Sequence, residues 1–384
     1  MLTWVEIDTA RVRSNLDAFR TVAPHAAVMA VIKANAYGHG LGIVAPVAAD
    51  SADWLGVNTF EEAAAVRKLG IHKPVAILGH SEAQHAEEIV RAHFRQVVYR
   101  IDIADALSAA ARKLNRSAAV HIKIETGTNR LGVPLDELGN FVEKLRKLPG
   151  IEIEGVYTHF ANIEDTLDPS YAKFQLQRFH SAIALLKDAG ITPSQVHAAA
   201  TAGALLYPET GFTMIRVGIG AYGIWPSRET QIATRERGRK VSLLPALTWK
   251  TRVAQIKLLS PGDYVGYGLT FQATRLMQIA VLPVGYFDGY DRKLSNAGRV
   301  LVKGRYAPVV GRVAMNMMMI DVTDAGAAID DEVVLLGRQG DSEIRVEELA
   351  ERIGSIPYEV LSRINPLIPR IAIQKGNSGT IRGQ

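Results

Sequence analysis

Among the 384 residues there is no cysteine. That absence removes disulfides, thiolate metal sites and cysteine nucleophiles together, and it fits a reducing compartment. Long hydrophobic runs are missing as well, and no stretch approaches the uninterrupted apolar length that a membrane span needs. Blocks of one charge are also absent. The 44 basic and 39 acidic residues, formal net charge +5, are spread along the chain, so no nucleic-acid footprint stands out. The nearest candidate, "RERGRK" at 235–240, reads as a solvated linker rather than a polyanion patch. The first residues place Glu6, Asp8, Arg11 and Arg13 where a signal peptide needs an apolar core. A cytoplasmic protein that binds neither nucleic acid nor membrane is the expectation. There is no internal repeat and no low-complexity tract.

What the chain does have is length and apolar content. With 48% hydrophobic residues it can bury a large core, and two domains are expected. From 26 to about 223, eight short apolar runs alternate with helical patterns: "AAVMAVIKA" (26–34), "DWLGVNT" (53–59), "KPVAILG" (73–79), "RQVVYR" (95–100), "AAVHIKIE" (118–125), "IEGVYTHF" (153–160), "QVHAAAT" (195–201) and "MIRVGIG" (214–220). Several are apolar on both faces, as strands of a buried parallel sheet should be, and segments such as "EEAAAVRKLG" and "YAKFQLQRFHSAIALLKDAG" between them carry helical periodicity. Eight such units predict a (β/α)8 barrel over residues 1–237. After the polar, proline-bounded stretch 225–245 the texture becomes that of short alternating or β-branched runs with glycine turns. This predicts a mainly β domain over 238–384, interrupted by a helix at 345–354 and a second near 358–364.

In such a barrel the reacting groups sit at the C-terminal ends of the strands. Lys33 ends the first run, Arg130 follows the fifth, His159 ends the sixth, Thr201 ends the seventh and Arg216 lies in the eighth. Lysines at a barrel rim commonly snorkel to water. Here the lysine closes an apolar strand, where partial desolvation lowers an amine's pKa as Schiff-base chemistry requires. Tyr37 could turn its hydroxyl to an anion, and Gly38 and Gly40 let backbone approach a ligand. Gly218 and Gly220 in "RVGIGAYG" offer amides of the kind that cradle phosphate. Each residue alone has a plain structural explanation. Together, a lysine, two arginines, a histidine and a glycine turn point to a phosphorylated carbonyl cofactor, pyridoxal 5'-phosphate. The β domain adds Tyr264, Tyr267, Tyr286, Tyr290, Met315 and Tyr358, which by themselves read as packing residues with a wet end. No metal site is expected.

The motifs taken in order, "VIKANAYGHG", "HIKIETGTNRLG", "EGVYTHFA", "IRVGIGAYG", "VGYGLTF", "VGYFDGY", "GRVAMN" and "YEVLSRI", resemble those of the alanine racemases, and the resemblance covers essentially the whole chain. It implies that Lys33 carries pyridoxal phosphate and acts as one base, with Tyr267 of the partner subunit as the other. Two bases on opposite faces are what inversion at an α-carbon asks for. It further implies that Arg216 faces the pyridine nitrogen, that His159 links it to the catalytic tyrosine, and that Arg130 contacts the substrate carboxylate. An arginine at that nitrogen keeps it unprotonated and so disfavours the long-lived carbanions that lead to transamination. The phosphate would be held by Tyr37, Thr201, the amides of Gly218 and Ile219, and Tyr358. Tyr286 and Met315 from the other chain would close the substrate pocket. Lys123 matches a position that some members carry as a carbamate. Shared sites imply an obligatory homodimer, and D-alanine would serve peptidoglycan.

Two positions depart from the family pattern. Ala200 stands where members often have asparagine, and Asn316 where they commonly have aspartate. The second removes a negative charge near the substrate entrance and bears on amino-acid preference. A broad-specificity, serine or basic amino-acid racemase is therefore the nearest alternative. Related decarboxylases typically use a C-terminal cysteine and a glycine-triplet loop, neither of which occurs, and a non-catalytic cofactor carrier would not need the β domain.

Overall fold

The computed structural model describes residues 1–374. The described residues form two compact units, one made of Arg11–Ala34 and Val44–Leu244, the other of Met1–Ala10, Asn35–Ile43 and the residues from Pro245 to 374. Strand β1 (Thr3–Asp8) opens the chain and belongs to the second of these.

The first unit is built on β2 (Ala27–Val31), β3 (Trp54–Val57), β4 (Val75–Ile77), β5 (Arg95–Val98), β6 (Ala118–Lys123), β7 (Ile151–Tyr157), β8 (Gln195–His197) and β9 (Met214–Val217). All neighbours are parallel, in the order β8-β7-β6-β5-β4-β3-β2-β9. Backbone bonds from Thr213 N–H to the Val196 carbonyl (3.1 Å) and from Arg216 N–H to the Ala199 carbonyl (3.0 Å) span the gap between the two end strands. The result is a nearly closed barrel, as the eight apolar runs predict. Strands such as "WLGV", "VAI" and "MIRV" are buried at every residue. Their side chains fill the barrel on one face and meet helices on the other. Met29, Trp54, Ala76 and Met214 form one such cluster.

The polar, proline-bounded stretch 225–245 contains a helix that the sequence reading did not place, and this helix runs into the start of the linker expected at 235–240. Arg228–Glu236 is a helix, because Ser227 accepts the Thr230 N–H as an N-cap and Thr230, Ala233 and Thr234 recur at the spacing that buries one face. Its basic tail, Arg235 to Lys240, remains largely solvent-facing.

In the second unit, β1 pairs antiparallel with β10 (Leu247–Arg252), Val5 facing Trp249. After β11 (Gln255–Leu259), β12 (Met277–Leu282), β13 (Arg299–Val302), β14 (Arg305–Pro308), β15 (Met318–Asp321), β16 (Glu332–Gln339) and β17 (Ser342–Ile344), β18 (Arg370–Ile373) runs parallel to β1. One sheet has the order β14-β13-β16-β10-β1-β18, with β17 on β16, and a smaller one the order β11-β12-β15. Val5 and Ile7 are fully buried. At about 2 kcal/mol for each such side chain, the N-terminal strand is a structural member of this sheet. Helices Val346–Ile353 and Pro357–Ser362 follow the sequence expectation. No helix of the described residues is long and apolar enough to cross a membrane.

Candidate active site

Lys33 stands two residues beyond β2 and opens a five-residue turn. Ala34, Asn35, Ala36 and Tyr37 all have φ between +52° and +54°, a left-handed turn that costs L-residues roughly 1–2 kcal/mol each. Side chains hold it in place. The Ala34 N–H donates to Glu62 Oε1 at 2.6 Å, and the Leu41 N–H donates to Asn35 Oδ1 at 2.8 Å. His39, fully buried, takes its Nδ1 to within 3.1 Å of the Tyr37 carbonyl. Glu62 also closes a capping box with Thr59 at the start of helix Phe60–Lys68. Burial, and then the Arg130 guanidinium, hold the Lys33 amine below the usual lysine range against the opposing pull of Glu62.

Arg216 is the centre of the barrel's polar network. It is buried, and its Nη2 donates to the Thr158 carbonyl (2.9 Å) and the Ala198 carbonyl (2.8 Å) and lies 3.3 Å from His159 Nδ1. Its Nη1 lies 2.8 Å from His197 Nδ1, and its guanidinium carbon 5.1 Å from the centre of the Tyr157 ring. Among the described residues no carboxylate makes an ion pair with it. Burial brings it down to about 10, still charged at neutral pH. Because guanidinium only donates, His159 Nδ1 must accept and Nε2 must carry the proton. Burial and then Arg216 push His159 down to about 3, so the ring is neutral. Lys123, at the end of β6, is buried 5.4 Å from the centre of the Tyr157 ring. Burial, with Arg130 and Arg216, brings its amine to about 8. Arg130 itself is exposed, on a loop whose Gly127 and Arg130 amides donate to the Glu125 carboxylate (2.5 and 3.2 Å).

At the far side of β9 the hydroxyl of Thr201 collects the Gly218 N–H (3.2 Å) and the Gly220 N–H (3.4 Å). Ile219 begins the buried 3-10 turn Ile219–Tyr222 between them. Donors converge there with no charged side chain bonded among them, a set suited to a phosphate. Residues 33, 130, 159, 201, 218 and 219 lie in the barrel unit at or beyond the ends of its strands, and Arg216 lies within β9, one residue before its end.

In the second unit, the Tyr37 and Tyr358 rings are 6.1 Å apart. Gly38 makes this closeness possible, since a Cβ there would stand 2.0 Å from the Leu361 carbonyl oxygen. The Gly38 carbonyl also accepts from Arg370 Nε (3.2 Å) and Nη2 (3.1 Å). Burial pushes the Tyr37 hydroxyl up to about 12. Elsewhere in this unit Tyr267, Tyr286, Met315, Asn316, Arg292 and Arg312 line a cavity of about 420 Å³. Tyr267 is 74% exposed and Met315 55%. The Tyr286 N–H donates to the Ala314 carbonyl and the Phe287 N–H to the Met315 carbonyl, both at 3.0 Å, which fixes the Tyr286 turn beside the methionine loop. Tyr290, by contrast, is a core residue 6.2 Å from Trp249.

Sequence reasoning missed Glu62, His121, Glu154 and His197. The pattern Thr-x-x-Glu at 59–62 was a legible cap signal. Polar residues inside otherwise apolar strands, His121 in "AAVHIK", Glu154 in "IEIEGVY" and His197 in "QVH", were the sign of a buried network.

Sequence models of the alanine racemase N-terminal domain and C-terminal domain match residues 7–226 and 246–372. An alanine racemase of Symbiobacterium thermophilum is 42% identical over 370 residues, 96% of each chain. The crystal structure of alanine racemase from D-cycloserine-producing Streptomyces lavendulae superposes with a TM-score of 0.91 at 32% identity, covering 98% of each chain. A histidine racemase of Leuconostoc mesenteroides superposes with a TM-score of 0.87 at 28% identity, over 97% of this chain and 98% of that one. With a matched barrel, a matched β domain and relatives of this identity over nearly their full length, the chain belongs to the alanine racemase family.

Proposed function

We propose that the protein interconverts L- and D-alanine with pyridoxal 5'-phosphate, as a cytoplasmic homodimer, and that the D-alanine serves peptidoglycan. The observation that carries this reading is the setting of Lys33: an amine lowered by burial, within electrostatic reach of Arg130 and Arg216, on a barrel whose Thr201 hydroxyl gathers two glycine amides.

The donor set fits the cofactor. Thr201, the amides of Gly218 and Ile219, and the hydroxyls of Tyr37 and Tyr358 would hold the phosphate, and Arg216 would donate to the ring nitrogen. When bound, the cofactor supplies an aldehyde that takes an amine and a conjugated ring that spreads the electron pair left at the α-carbon. The chain's own work is then to bind, orient and move protons. Arg130 pairs with the substrate carboxylate. The Lys33 Nζ takes or returns the α-proton on one face, and the Tyr267 hydroxyl of the partner subunit does so on the other, so that removal and return from opposite sides invert the centre. A neutral His159, held by Arg216, fits a hydrogen-bond link toward that tyrosine. Lys123, whose amine lies at about 8, is poised to react with carbon dioxide and steady Arg130. Tyr286 and Met315 of the partner limit side-chain size. Support for the dimer comes from Tyr267, Tyr286, Met315 and Met317, large exposed side chains around one cavity.

Turnover of several amino acids is the second reading. Asn316 favours it, because the cavity it lines with Arg292 and Arg312 contains no carboxylate. The test is a chiral assay of L-alanine, serine, lysine, arginine, histidine and glutamate with the cofactor present, and Lys33→Ala and Tyr267→Phe as controls. D-alanine well ahead of the other products, lost in both controls, is expected. Equal inversion of the panel would shift the substrate assignment to the second reading, and no inversion of any amino acid would end both. Unchanged turnover in Tyr267→Phe would remove the second base.

A further inference from the structure

Three residues of the barrel interior have no part in the reading above, yet they continue from Arg216 in an unbroken line. His197 Nδ1 lies 2.8 Å from Arg216 Nη1, and its Nε2 lies 2.9 Å from His121 Nδ1. His121 Nε2 lies 3.3 Å from Glu154 Oε2. Arg95 closes the line from the other side, Nε to Oε2 at 3.0 Å and Nη2 to Oε1 at 3.3 Å. Both imidazoles are fully buried. Their seats are built: the His197 ring stacks on Tyr157 at 4.8 Å and 2°, and the His121 ring occupies the space where a Cβ on Gly155 would fall, 2.6 Å from its Cγ.

Only one proton arrangement satisfies every member. A guanidinium donates and never accepts, so His197 Nδ1 must accept. A neutral His197 then carries its proton on Nε2 and donates to His121 Nδ1. His121 in turn carries its proton on Nε2 and donates to a carboxylate, which only accepts. We propose that His197, His121 and Glu154 are positioning residues for Arg216, a one-directional hydrogen-bonded file that holds the guanidinium in place and answers its charge with a carboxylate two rings away.

The physical reason for the distance is the site itself. A buried guanidinium with no anion is strongly disfavoured, but a carboxylate in direct contact would draw its donors away from the cofactor ring. Two neutral imidazoles let Glu154 and Arg216 polarise each other through the file while the carboxylate stays near a small cavity of about 110 Å³ lined by His93, Arg95, Glu152 and Glu154. Burial pushes the Glu154 carboxyl up, yet the bonds from His121 and Arg95 outweigh it and bring the group down to about 2. Burial also keeps both rings below the usual histidine range.

The kinetic consequence rests on the assignment of Arg216 to the cofactor ring; the proton arrangement does not. The experiment is long-range ¹H–¹⁵N correlation on the holoenzyme labelled with ¹⁵N-histidine. His197 and His121 are expected neutral and protonated on Nε2 across neutral pH. An Nδ1–H tautomer or an imidazolium at either ring overturns the file. Glu154→Ala is expected to mix the tautomers of His121 and His197 and to lower kcat about tenfold with KM nearly unchanged. Glu154→Gln, which keeps a carbonyl acceptor, should restore the tautomers and part of kcat. His121→Phe should mix the tautomers of His197 and lower kcat as Glu154→Ala does; if it fails to fold, the Glu154 pair and the unsubstituted protein still decide. Ring signals and kcat both unchanged in Glu154→Ala would sink the proposal. The expected tautomers in a protein that inverts no amino acid would leave the file standing and fell the racemase reading alone.

Discussion

The carboxylate of Glu62 accepts the Ala34 N–H at 2.6 Å, so the side chain that caps helix Phe60–Lys68 also holds the residue that follows Lys33. Lys33 is therefore fixed by a neighbouring βα unit as well as by its own strand. Removing this carboxylate in Glu62→Ala should cost about 1–2 kcal/mol, a cap and a backbone bond together, and lower kcat several-fold. Denaturant unfolding and steady-state kinetics read the two effects, and Glu62→Gln should retain most of both.

The lowered amine of Lys33 should react ahead of the surface lysines. With a limiting amine-selective reagent at neutral pH and no cofactor bound, Lys33 should be modified ahead of the exposed lysines Lys144 and Lys147, since burial and Arg130 increase its free-base fraction. Peptide mass mapping gives the order. Prior saturation with pyridoxal phosphate should protect it, and modification at the surface lysines first would contradict the lowered pKa.

Arg216→Lys keeps the charge and loses the fork. An ammonium cannot serve the Thr158 and Ala198 carbonyls and two imidazoles from opposite ends, so several buried acceptors lose their partner. A stability loss of about 2–4 kcal/mol and a fall in kcat/KM on the order of a hundredfold are expected. Racemisation at the original rate would show that the fork geometry is dispensable.

At Gly38 the close approach to Leu361 leaves no room for a methyl group. Gly38→Ala should separate the Tyr37 segment from helix Pro357–Ser362, cost about 2 kcal/mol or more, and weaken retention of pyridoxal phosphate more than of phosphate-free pyridoxal. Equilibrium dialysis of the two forms makes the comparison.

Acid should destabilise the fold early. His39, His121, His159 and His197 all have pKa values lowered by burial below the ordinary 6.5, His39 to about 4 and His159 to about 3. The unfolded chain therefore binds more protons than the native one below that pH. Stability is complete above 6.5 and falls as pH drops toward the native values, by about 5 kcal/mol per pH unit while all four rings stay neutral. Glu154, at about 2 against an ordinary 4.5, extends the loss below pH 4.5. Denaturant midpoints measured at intervals down from neutrality should show this slope, and a flat profile between pH 6.5 and 5 would exclude it.

The barrel was legible because β2 to β9 are short, apolar on both faces and separated by helices, a local pattern that needs no partner to be seen. Lys33, His159, Thr201 and Arg216 stood out because strand ends are where a barrel presents polar groups. The left-handed turn at Ala34–Tyr37 was not legible, since alanine and tyrosine carry no preference for positive φ and the bonds from Glu62, Asn35 and His39 that hold it are made only in the fold. The helix at Arg228–Glu236 was hidden by its charge, with few buried side chains to set a period.

By itself the sequence determined the alternation of strand and helix, the types of reacting group and their order along the chain, because these follow from local hydrophobic period and side-chain chemistry. Only the tertiary structure decided that the first strand joins a sheet with residues from beyond 245, and that Arg216 meets His197, His121 and Glu154 in one direction of donation. Pairing register and proton direction depend on which groups meet across long separations in the chain, and side-chain type alone does not specify that meeting.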